Sequence, residues 1–161
     1  MSQGEILPNY CVSLINDKFY IKTVSNDKDA ASTNKNQIFY DAKVRKALRV
    51  YIKARNMENA RRNGERLLKD FIVSEWPKAK SLVDGIKQGL PVYLKLPPKC
   101  FSEKATLHKI TKAPEGAGFV RVWREVGGDR SRDLIPDEEE LLSIIVAYGN
   151  HIVSNEGASS V

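Results

Sequence analysis

The chain has 161 residues, 42% apolar and 29% charged, with a net charge of +6 and a pI near 9.3. This is long enough for one domain with a real core, and no apolar run nears the ~20 residues needed to span a bilayer. The basic balance favours an anionic partner, nucleic acid first. The opening MSQGEILPNYC has no basic-then-apolar leader, and the only cysteines are Cys11 and Cys100, so two free thiols in a reducing, cytoplasmic setting are expected rather than a disulfide framework.

In chain order, residues 10–24, YCVSLINDKFYIKTV, are rich in β-branched and aromatic types around Asn16-Asp17. That pattern predicts a β-hairpin with a tight turn. Residues 25–36 are polar and aperiodic and read as a mobile loop. From residue 44 to 56 the apolar residues Val44, Ala47, Leu48, Tyr51, Ile52 and Ala54 cluster on one side of a wheel drawn at about 100° per residue, with Arg45, Lys46, Arg49 and Lys53 opposite. A helix is expected there. A second helix follows from Met57, with an apolar stripe of Met57, Ala60, Leu67, Leu68, Phe71 and Ile72. Gly64 weakens that helix, and Pro77 ends or kinks it near Trp76.

A shorter helix is expected over 78–88, capped by Gly89. PVYLKLPP at 91–98 reads as an edge or short strand because of its prolines. ATLHKITK at 105–112 reads as a strand, and residues 118–135 as a hairpin turning near Gly127-Gly128-Asp129. PDEEELLSIIVAYGNHIV starts a helix whose three glutamates suit the positive end of the helix dipole. The tail 154–161 reads as disordered. The expected architecture is one α+β domain over 1–153: an N-terminal β-hairpin, central basic helices, a small antiparallel sheet and a C-terminal acidic helix.

Charge is not spread evenly. Residues 43–69 hold ten Lys or Arg against two Glu, whereas residues 133–161 hold six carboxylates and no Lys or Arg. Between Lys43 and Arg55 there are six basic residues and no acid. Core packing does not require such an imbalance, and like charges at i, i+4 pairs such as Arg45–Arg49 repel. A polyanion would convert that repulsion into binding. The expected phosphate contacts are Lys43, Arg45, Lys46, Arg49, Lys53, Arg62, Arg66 and Lys69. Duplex phosphates match a basic helix, which favours DNA over RNA. Phe119, Arg121 and Trp123 share one strand face and are candidates for stacking bases, although packing against a helix explains them as well.

No C-x-x-C, H-x3–5-H, P-loop, G-x-S-x-G or H-E-x-x-H pattern occurs. No metal, cofactor or catalytic residue is therefore expected. The sequence favours a non-enzymatic nucleic-acid-binding accessory protein, of the kind a phage, virus or mobile element encodes. The alternative is an assembly subunit, or homo-oligomer, whose basic helices meet an acidic protein surface.

Overall fold

The computed structural model describes residues 7–24 and 36–153. The expected loop at 25–36, apart from Asn36, and the expected tail at 154–161 lie outside the described residues. The fold is α+β: two antiparallel sheets and three helices. The chain divides into two compact units, residues 1–77 and 78–161.

The first unit is built on strands β1 (Asn9–Ile15), β2 (Lys18–Val24), β3 (Ile38–Asp41) and β4 (Ala47–Lys53), in the order β2-β1-β4-β3. The β1–β2 hairpin turns where expected. Asn16 and Asp17 have φ of 50° and 66°, the left-handed pair a two-residue hairpin turn needs, and Asn and Asp tolerate it better than other side chains. Helix α1 (Met57–Ser74) follows β4 and packs against β1, β2 and β4. Its start is fixed by Asn56, whose side chain accepts from the N–H of Asn59 at 2.8 Å. Its end is marked by the Glu75 N–H donating to the Phe71 carbonyl at 2.8 Å. Ala60, Gly64 and Leu68 are its buried residues. Met57, expected on the apolar stripe, is 45% exposed, because it occupies the first helical position, ahead of the buried turn at Ala60.

The helix expected over 44–56 is a strand and its preceding turn. Leu48, Val50 and Ile52 are buried on one side of β4, while Arg49 and Tyr51 between them are half-buried and Lys53 is exposed. Periods of 2 and 3.6 both place residues 48 and 52 on the same face, so the two readings compete over this stretch. The deciding residue is Val50. It falls outside the helical stripe but is fully buried as a strand residue.

Two contacts fix which sheet face meets α1. A Cβ at position 64 would lie 2.5 Å from the Cβ of Val12, so Val12 points at the helix. Lys69 of α1 lies over the Phe19 ring at 5.6 Å. Register then places Tyr10, Val12, Leu14, Phe19, Ile21, Leu48, Val50, Ile52, Ile38 and Tyr40 on the helix side. The side away from α1 carries Cys11, Ser13, Ile15, Lys18, Tyr20, Lys22, Phe39, Asp41, Arg49, Tyr51 and Lys53.

Helix α2 (Trp76–Lys87) begins after Glu75, with Pro77 in its first turn, where a missing N–H costs nothing. In the second unit it buries Ala79, Val83 and Ile86. The unit's sheet comprises β5 (Val92–Leu96), β6 (Thr106–Lys112), β7 (Phe119–Glu125), β8 (Arg130–Ile135) and β9 (Ile152–Val153), in the order β8-β7-β6-β5-β9. The prolines flanking β5 leave it short, but it is paired on both sides, with β9 contributing only two residues. Helix α3 (Glu138–Ala147) contacts β8. Asp137 caps it, accepting from the Glu140 N–H at 2.8 Å, and Lys87 pairs with Glu138 at 3.1 Å. One face of this sheet holds the core residues Val92, Leu94, Leu96, Ile110, Phe119 and Ile135, all at most 7% exposed. Phe119 and Ile135 are cross-strand partners on that face.

Candidate nucleic-acid interface

Three of the eight expected basic residues, Arg45, Arg49 and Lys53, meet on the sheet face of the first unit that α1 leaves uncovered. Arg49 and Lys53 alternate with Tyr51 along β4 and point to this face. Lys22 and Tyr20 reach it from β2, and Tyr20 is 51% exposed. Between β3 and β4 the chain makes a tight turn in which Asp41 accepts from the Val44 N–H at 2.9 Å. Arg45 and Lys46 follow. A groove of about 360 Å³ runs along this face, lined by Ser13, Tyr20, Lys22, Val44, Arg45 and Arg49.

Two details bear on anion binding. First, Arg45 and Lys46 have φ of 60° and 51°, the same left-handed pair that Asn16-Asp17 adopts in the other hairpin. Neither Arg nor Lys is suited to it, and the conformation costs about 1 kcal/mol for a residue with an ordinary Cβ. Second, Arg49 is only 17% exposed, and its Nε is buried without a hydrogen bond, the Asp41 carboxylate lying 3.5 Å away. The Asp41 ion pair answers part of the Arg49 charge, and the exposed cations of the groove, Lys22 and Arg45, are the groups an anion would meet first. Lys43 and Lys46 are exposed on the same turn.

No family model matches the chain, and no curated protein or solved structure is significantly similar to it.

The other expected contacts, Arg62, Arg66 and Lys69, lie on exposed α1. That surface mixes signs. Arg61 bonds Glu58 at 2.7 Å and Glu65 at 3.2 Å, Arg62 lies 3.8 Å from Glu58, and Asp70 sits beside Lys69 and Arg66. The Arg61 hydrogen bond and charge hold the Glu58 carboxyl below its usual range. An ion-paired, solvated helix face explains these residues without a ligand. The structure thus separates what the sequence merged: Arg45, Arg49 and Lys53 belong to the sheet face away from α1, and residues 58–70 to a self-neutralising helix surface.

Phe119, Arg121 and Trp123 do share one strand face, but it is the inner face of the second sheet. Phe119 is 7% exposed. Arg121 forms a two-point bond with Asp133, at 3.1 and 2.7 Å, and stacks over Phe101 at 4.9 Å. Trp123 meets Phe101 edge-on at 4.9 Å and stacks on His108 at 6.1 Å. His108 is fully buried, with Nε2 2.8 Å from the Thr106 hydroxyl and Nδ1 without a partner. Burial, reinforced by the Arg121 charge and opposed by Asp133, lowers its pKa to about 4. Burial also pushes the Tyr148 phenol up, with Cys100 adding and Arg121 opposing. This cluster is a packed polar core.

Both cysteines are free, Cys11 buried and Cys100 exposed. Among the described residues no three His, Cys, Asp or Glu side chains gather as a metal site, and no helix is long and apolar enough to cross a membrane. Tyr20 and Lys22 were not singled out from sequence. Their signal was the alternation Lys18-x-Tyr20-x-Lys22 on the outward side of the first hairpin, which gains meaning only once Arg49 and Lys53 are known to lie on the same sheet.

Proposed function

We propose that the protein is a non-enzymatic nucleic-acid-binding protein that receives a strand on the uncovered face of its first sheet. Arg45, Arg49, Lys22 and Lys53 meet phosphates, and Tyr20 stacks a base, a contact worth about 1–3 kcal/mol. The observation that carries the reading is the β3–β4 turn. Its left-handed positions are filled by Arg45 and Lys46, at the end of the 42–46 connection, where Asn, Asp or Gly is the usual choice, as Asn16-Asp17 are in the shorter β1–β2 turn. Positions that break a local backbone rule are where functional residues are expected. The preference for DNA rested on a basic helix matching duplex phosphates. With residues 47–53 in a strand that match is lost, and a sheet face that exposes Tyr20 together with Lys22 and Lys53 suits unpaired bases instead.

The turn also supplies the test. Replacing Arg45 and Lys46 with glycine relieves about 1 kcal/mol of backbone cost at each, offset in part by glycine's entropy, so the double variant gains roughly 1 kcal/mol of stability. It loses the Arg45 phosphate contact, so affinity for a single-stranded oligonucleotide falls several-fold and the salt slope shrinks by about 0.7. Denaturant titration and fluorescence anisotropy measure the two. A more stable variant with unchanged binding removes this face from the proposal. Concentration-dependent oligomers in light scattering, with no response to nucleic acid, turn the reading to assembly against an acidic protein surface.

A further inference from the structure

The second sheet sorts its charges by face. Register pairs Lys95 with Leu107, Leu107 with Arg124, and Arg124 with Arg130. In the next row it pairs Tyr93 with Lys109, Lys109 with Val122, and Val122 with Arg132. Cross-strand partners share a face, so Lys95, Lys109, Arg124, Arg130 and Arg132 all project from the side opposite Leu94, Ile110 and Phe119, a side on which Leu107 and Val120 are buried. The strand carboxylates, Glu125 and Asp133, belong to the core side, where Asp133 is held by Arg121. Five cations therefore share one sheet face with no carboxylate from the same strands. Lys95, Arg130 and Arg132 are exposed. Lys109 lies over the Tyr93 ring at 5.9 Å, and Arg124 reaches the Glu125 carbonyl at 3.5 Å. Arg124 and Arg130 stand directly opposite one another, an arrangement that destabilises a sheet. Leu134, on the same face, is 70% exposed.

We propose that this face is a second nucleic-acid surface that holds the sugar-phosphate backbone of a single strand, independently of base identity. The inference rests on the nucleic-acid reading above but uses a different sheet and different residues. Each of four adjacent strands, β5 to β8, supplies a cation, so positive charge steps across the sheet at about 4.8 Å per strand. A flexible single strand can settle successive phosphates on such an array. A duplex is a convex cylinder that meets a four-strand face only along a line. A protein partner is the poorer fit, because the cores of protein interfaces are depleted in Asp and Glu, the groups that would have to answer five cations. The apolar surfaces of Tyr93, Val122 and Leu134 lie among the cations and offer contact to sugars.

The test compares two charge reversals of equal size in the full chain. Arg132→Glu alters the cationic face. Lys112→Glu alters an exposed residue that pairs with Phe119 and so belongs to the opposite face. Binding of a labelled oligothymidylate of ~16 nucleotides is followed by anisotropy between about 50 and 200 mM salt. Arg132→Glu is expected to lower the salt slope by about 0.7 or more, and Lys112→Glu to leave it unchanged. Lys95→Glu, on another strand of the same face, is expected to repeat the Arg132→Glu result and decides the matter if that variant fails to fold. Equal effects of Arg132→Glu and Lys112→Glu overturn the proposal, as does equally tight binding of a duplex of the same length. If the wild-type protein binds no nucleic acid at all, the underlying reading falls. If it binds and the two faces respond alike, only this inference falls.

Discussion

Replacing Gly64 with alanine is expected to destabilise the first unit by about 2–3 kcal/mol, while the same change at Gly85 is expected to stabilise the second by about 0.5 kcal/mol. Both glycines are in helices, and helix propensity alone favours alanine at each by up to about 1 kcal/mol. Their surroundings reverse the sign at one of them. A Cβ at position 64 would lie 2.5 Å from the Val12 Cβ and 2.9 Å from its Cγ1, and Val12 is fully buried on the central strand β1. Relief requires α1 to lift from the sheet by about 1 Å, loosening the contacts of Ala60 and Leu68 on the same stripe. Overpacking of this kind costs about 1–3 kcal/mol, and more where neither side can yield. A Cβ at Gly85 meets only the Leu90 side chain, at 3.7 Å, which is ordinary contact. Urea titration of the two variants checks the pair. A neutral or stabilising Gly64→Ala would mean that α1 does not sit on β1 as closely as described.

Gly64 also shows where the sequence stops informing. As a residue in a helical pattern it registers only as a weakness, since its partner is 52 positions away. What was legible came from local chemistry: the Asn16-Asp17 turn, the helix start at Met57, the Gly127-Gly128-Asp129 turn, the strands expected within 91–98 and 105–112, and the acidic start of α3. Residues 44–56 were misread because an i, i+4 pair of apolar residues belongs to either period. Only Val50, and the pairing of β4 with both β1 and β3, settles it. The basic cluster was visible as charge, but its division was not. Whether a cation is offered to solvent, as at Lys53, or paired to a carboxylate, as at Arg61, depends on which element carries it. The cationic face of the second sheet was hidden for a related reason. Arg124, Arg130 and Arg132 share a face only through the β7–β8 register, and Lys95 joins them through β6. The aromatic side of β7, with Phe119 and Trp123, is the more conspicuous in the sequence, and the core uses it.

Acidification from pH 7 to pH 5 is expected to cost the second unit about 2 kcal/mol through His108. The sign follows from the direction of the shift. The folded-state pKa is about 4 against an ordinary 6.5, so between those values the unfolded chain binds a proton that the folded protein refuses. Stability from this group is complete above pH 6.5, declines as pH falls, and its loss is complete once pH drops below about 4. The physical cause is the site. The ring is fully buried between Phe101 and Trp123, Arg121 adds positive charge nearby, and Asp133 offsets it only in part because Arg121 itself engages it. Placing the proton on Nε2 lets the ring donate to Thr106 Oγ1, leaving Nδ1 as a bare acceptor, the less costly of the two atoms to bury unpaired. A second proton would create a buried cation with an unanswered donor beside a guanidinium. His108→Gln keeps a donor within reach of Thr106 and cannot titrate. That variant is expected to be less stable at pH 7 but nearly flat between pH 6.5 and 5, where most carboxylates remain ionised. Urea midpoints at pH 7, 6 and 5 for both proteins decide it. Parallel pH profiles would show that the imidazole is not the group the acid titrates, and that the His108 cluster admits water or a counter-charge.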